Sequence, residues 1–146
     1  MENKLKITLC FFFIVLLIFG IIIANYAKRG NELNNLKDMY TDIDLLEDSI
    51  SMYYLDSGTL PIKNKNIDFK NTINPNDDLV YYEIDLQLLG NIKLTYGNRE
   101  FGKNDIYIIN NNSHTVYYYK GIEFENDIYY TRKDLNYEYI DLENYK

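Results

Sequence analysis

Tryptophan is absent from these 146 residues, cysteine and histidine occur once each, and proline occurs twice. With Cys10 alone there is no intrachain disulfide, so cysteine pairing says nothing about redox compartment. One histidine and one cysteine are too few nitrogen and sulfur ligands for a structural zinc site. A catalytic triad needs a nucleophile, a base and an orienting group that meet in space. His114 is the sole imidazole, it stands beside Ser113 in a polar turn, and no nucleophile-elbow pattern accompanies it. The seven glycines form no phosphate-cradling loop. The expectation from these absences is a non-enzymatic protein without a cofactor.

Positive charge is also scarce where it would matter. The first 30 residues hold four of the 15 basic residues and one of the 22 acidic ones, which leaves the remainder at a net charge of about −10. Such a surface has no electrostatic attraction to nucleic acid or to anionic lipid headgroups. The acidic loops at Asn74–Asp78 and Glu125–Asp127 offer oxygen ligands for a hard cation, but neither has the spacing of an EF-hand. Solvated loop charges are the simpler reading.

What the chain does have is a long apolar run. From Ile7 to Ala24 no residue is charged, and 18 residues of helix span about 27 Å, close to the hydrocarbon thickness of a bilayer. A helix satisfies its own backbone hydrogen bonds, so a single span is viable in lipid. The run is longer than the 7–15-residue core of a cleaved signal peptide, and Ile22 and Asn25 spoil the small-x-small pattern before Ala24 and Ala27. The expected order is a cytoplasmic N-terminus over 1–6, a transmembrane helix over 7–24 and a helical continuation over 25–56. Lys4 and Lys6 before the span and Lys28 and Arg29 after it nearly balance under the positive-inside rule. The acidic remainder tips the expected orientation towards an extracytoplasmic C-terminal domain in a single-pass cell-membrane protein.

The continuation is amphipathic. Leu36, Met39, Ile43, Leu46, Ile50 and Tyr53 recur at alternating spacings of three and four, the stripe of one helical face, while Asp38, Asp42, Glu47 and Asp48 fall mostly off it. Fewer than three heptads argue against a sustained coiled-coil seam, so the stripe is expected to cover the chain's own sheet. Gly58 and Pro61 place the helix stop near Leu55 to Ser57. Residues 57–146 then read as a tyrosine-rich β-domain. Candidate strands are a short one through Ile67 and Phe69, then Leu79–Leu86, Ile92–Tyr96, Ile106–Ile109, Thr115–Tyr119, Ile122–Phe124 and Ile128–Thr131. Most alternate apolar and polar residues. The tail from Arg132 is compatible with an edge strand, a short helix or irregular chain. The fold class is therefore α+β: a long N-terminal helix, transmembrane then amphipathic, packed on a small antiparallel β-sheet. The 16 tyrosines suit rings that are buried while their hydroxyls stay wet; the alternative is a sticky surface for protein or glycan.

This order of parts, together with the segment Tyr53-Tyr54-Leu55-Asp56-Ser57-Gly58-Thr59-Leu60-Pro61, resembles the type IV pilins and the pseudopilins of type II secretion. The resemblance implies a structural or minor subunit of a pilus, secretion or DNA-uptake machine. Its partners would be the lipid bilayer and other pilin-like or secretion subunits; a self-dimer is the other option. The chain departs from the family at the leader. Cys10 precedes Phe11 where the family has Gly, and Val15 stands where the mature helix would carry Glu. Prepilin cleavage is therefore not expected, and a permanent anchor is. The competing reading is a single-span, anchored extracellular binding or sensor module unrelated to pili.

Overall fold

The computed structural model describes residues 2–69, 80–90, 92–97 and 107–132. It is an α+β fold in which one helix, α1 (Glu2–Ser57), packs on a small antiparallel sheet. At 56 residues the helix is about 84 Å long. It runs through Gly30 without a break. Thr8, inside the apolar half, donates its hydroxyl to the Lys4 carbonyl at 2.9 Å, so it brings no unsatisfied polar group into that stretch. Thr41, Ser49, Ser51 and Ser57 make the same i−4 bond further along. The helix ends where Gly58 adopts a φ of 70° and its N–H donates to the Tyr54 carbonyl at 2.8 Å. This left-handed cap costs glycine no Cβ clash.

Four strands follow in the order β1-β2-β3-β4, all antiparallel neighbours: β1 (Ile62–Ile67), β2 (Tyr81–Ile84), β3 (Tyr107–Asn110) and β4 (Val116–Tyr118). A separate hairpin, β5 (Ile122–Phe124) and β6 (Asp127–Tyr129), completes the described elements. Its two turn residues, Glu125 and Asn126, have φ of 51° and 71°, the signature of a type I′ turn that matches strand twist. The hairpin is stitched to β4: the Tyr118 N–H donates to the Tyr130 carbonyl at 2.7 Å, and Thr131 Oγ1 donates to the Val116 carbonyl at 2.8 Å. At Gly121, which turns β4 into β5 with φ of 72°, an added Cβ would collide with Ile128 and with the Tyr130 ring.

One face of this assembly meets the helix. Leu36, Met39, Ile43, Leu46 and Ile50 form a single buried cluster with Ile84, Tyr107, Ile109, Val116, Tyr118, Ile122, Phe124 and Tyr129. Tyr53 is half-buried at the end of the stripe. Alternation explains the membership: Tyr107 and Ile109 face the helix, whereas Ile108 and Asn110 point the other way. That second face is not bare. Phe69 packs its ring on Tyr81, Tyr117 and Tyr130 at 5.1, 5.5 and 5.3 Å, and Ile108 is fully buried.

Three expectations change. The candidate strand Ile92–Tyr96 is not a strand; the N–H groups at its end, from Thr95 and Tyr96, are taken by a side chain described below. The short strand expected through Ile67 and Phe69 lies earlier, as β1, an edge strand that pairs with β2 through an irregular register. The strand expected over Leu79–Leu86 is shorter, because Leu86 to Leu89 turn away. The tail from residue 133 and the acidic loop Asn74–Asp78 lie outside the described residues.

If the helix stripe is the sheet's core, Ile43→Ala in the full chain should lower stability by about 2–5 kcal/mol. Ile43→Asp should abolish the tyrosine near-UV circular dichroism. An unchanged melting point for Ile43→Asp would contradict this packing.

Candidate functional site

Two parts of the helix stand apart chemically, and they divide the molecule. Along the apolar half nothing in the described chain covers the side chains: Leu5, Phe11, Leu17 and Ile23 are 66–68% exposed. Leu36, Met39, Ile43 and Leu46, on the same helix, are at 0%. The first half is long and apolar enough to cross a membrane, and none of its most apolar window is buried by the domain. Cys10 lies exposed within it. A monomeric soluble protein rarely leaves so continuous an apolar surface bare.

In the second half the decisive residue is Asp42, on the flank of the stripe next to Ile43. Its carboxylate is fully buried and accepts from four donors. The Thr95 N–H donates to Oδ1. The Tyr96 and Gly97 N–H groups donate to Oδ2, both at 2.9 Å. The Tyr107 hydroxyl donates to the same oxygen at 2.8 Å. Three successive backbone N–H groups curled on one carboxylate form an anion-binding nest, which is why this stretch cannot also pair as a strand. Leu94 and Tyr96 are carried into the core by the same loop. Burial, then the Asp42 charge and the hydrogen bond to it, push the Tyr107 phenol well above its usual pKa. Asp42 was expected off the buried face; a charge is rarely buried unless it is paired and hydrogen-bonded, and those partners come from residues more than fifty positions away.

Other polar contacts tie the helix to the sheet domain. Glu47 Oε1 accepts from the Val116 N–H at 3.2 Å. Arg132 pairs with Asp44, and Arg29 with Glu125. Near the end of the helix, Glu47, Ile50, Ser51, Tyr54, Leu55 and the turn Ser113–Thr115 line a groove of about 410 Å³. His114 lies there in a left-handed conformation, φ 57°. Its N–H donates to the Asn110 carbonyl at 3.0 Å and its ring packs on Tyr54 at 5.1 Å. These contacts make it a turn residue resting on the helix. Of the acidic loops, the described one, Glu125–Asp127, is the β5–β6 turn, with Glu125 committed to Arg29. Among the described residues no three His, Cys, Asp or Glu side chains group closely enough to hold a metal ion.

Comparison with protein-family models, with curated proteins and with solved structures finds no match.

Asp42→Ala strands the buried N–H groups of the nest and should cost roughly 3 kcal/mol or more. The raised pKa of Tyr107 has a definite sign. The unfolded chain loses the phenol proton near pH 10 while the folded chain keeps it, so this group's contribution is complete below that pH and is lost as pH rises above it. Wild type should therefore lose stability above about pH 10 more steeply than Tyr107→Phe, measured by thermal melts across that window. Parallel slopes would contradict the assignment.

Proposed function

We propose that this chain is a non-enzymatic, single-pass membrane protein of pilin-like architecture, a structural or minor subunit of a pilus, secretion or DNA-uptake machine. Its N-terminus lies in the cytoplasm and its tyrosine-rich domain outside the cell membrane. The observation that carries this reading is the division of α1: one unbroken helix, uncovered and apolar over its first half, buried by its own sheet over its second. A helix built in this way couples a bilayer anchor rigidly to a folded domain. The Tyr53–Pro61 segment and the helix stop at Gly58 support the pilin-like assignment. The partners would be the bilayer and neighbouring subunits that contact the helix or the sheet.

Val15, in the place of the family's mature-helix Glu, favours a second reading. Without that carboxylate a subunit cannot pair with a neighbour's N-terminal amine. The anchored domain would then act by itself or as a self-dimer, as an extracellular binding or sensor module.

The intact mass of the protein from its own membranes tests both. Full length, resistant to alkaline extraction and with residues 31–146 open to protease added outside intact cells, is the expected result. Loss of residues 1–10 would reveal prepilin-type processing and remove the argument for a permanent anchor. Loss up to Ala24 or Ala27 would overturn the membrane reading. Oxidative crosslinking through Cys10 then separates the two readings. Mixed adducts with other small apolar-helix subunits are expected for a machine component, and a homodimer alone for the independent module.

A further inference from the structure

We infer that the β5–β6 hairpin is a second membrane contact, its acidic turn lying in a layer of zwitterionic phospholipid headgroups. The inference rests on the anchor reading above and starts from the ion pair between Arg29 and Glu125. Arg29 is five residues beyond Ala24, the last residue of the apolar run, a rise of about 7.5 Å. The polar layer on each side of the hydrocarbon is about 5–8 Å thick. Helical side chains lean towards the N-terminus, so the pair falls on the membrane side of the Arg29 backbone. The hairpin turn is thus held at headgroup depth.

The surroundings agree with that depth. Tyr26, one turn before Arg29, is 72% exposed, and tyrosine is enriched at membrane–water interfaces. Lys28 pairs with Glu32 at 3.4 Å along the helix. On the hairpin, Ile128 is 48% exposed, and Glu123 and Asp127 are exposed beside it. Exposed carboxylates next to an exposed isoleucine suit the ammonium groups of zwitterionic lipids, and anionic headgroups would repel them. The opposite end of the domain is remote. Tyr54, which touches the β3–β4 turn through His114, is 25 residues beyond Arg29, about 37 Å along the helix axis.

Full-length protein with Cys10→Ser and either Asp127→Cys or Asn112→Cys, labelled with a fluorophore, would be reconstituted into phosphatidylcholine vesicles containing a headgroup spin-labelled lipid. Quenching is expected at position 127 and is expected to be lost at 112. It should weaken at 127 when phosphatidylglycerol replaces phosphatidylcholine. Equal quenching at the two positions overturns the inference while leaving the anchor intact. Quenching at 127 as strong with phosphatidylglycerol overturns the zwitterionic assignment. Protein that fails to float with the vesicles overturns the anchor reading and this inference together. If the change at 127 abolishes the near-UV circular dichroism, Glu123→Cys takes its place with the same outcomes.

Discussion

A buried carboxylate holds the sheet-covered half of this protein in register. Asp42 is fully buried, and its oxygens are satisfied when the 95–97 backbone curls over the helix and the Tyr107 hydroxyl arrives from β3. A helix rotated by one residue or slid by one turn would leave the charge without these donors. The apolar stripe alone tolerates such shifts more easily, because dispersion and hydrophobic contacts are not directional. The stripe supplies most of the attraction between helix and sheet, and Asp42 selects one arrangement among several of similar apolar burial. Removing a single partner of such a group costs far more than the group's net contribution, so helix, loop and β3 are coupled.

That coupling explains how so small a sheet stands. β2 to β6 are three or four residues each, and isolated hairpins of this size are marginal in water. The helix provides one covering layer. On the other face, Phe69 and the tyrosines around it provide another, over Ile108. Tyrosine serves on both faces for one reason: its ring adds apolar area, and its hydroxyl can stay bonded or wet. Tyr107 and Tyr118 on the helix face and Tyr81 and Tyr117 on the other serve in this way.

The same helix continues beyond the domain with none of these partners. Helix and domain are joined by the stripe, by the Asp42 nest and by the Arg132–Asp44 and Arg29–Glu125 pairs. These contacts seat the domain on the helix from Arg29 to Ile50.

Much of this was legible in the residues. An uncharged run from Ile7 to Ala24 is a local property and needs no folding to be recognised. The three-and-four spacing from Leu36 to Tyr53 and the Gly58 stop follow from helix periodicity and φ preferences, which are local too. The two hairpins around Asn110–Thr115 and Glu125–Asn126 are marked by their turn residues. What escaped was non-local. Ile92–Tyr96 alternates like a strand, and Asp42 looks like one more solvent-facing acid. Each is explained only by the other, across more than fifty residues. The second aromatic layer likewise depends on Phe69 reaching strands far along the chain. Sequence alone determined the membrane-length apolar run, the helix and the α+β class, because periodicity and composition act over a few neighbouring residues. Tertiary structure alone decided which charge is buried, which apparent strand is a loop and where the hairpin sits against the helix. Those outcomes depend on donors and acceptors that become neighbours only once the chain has folded.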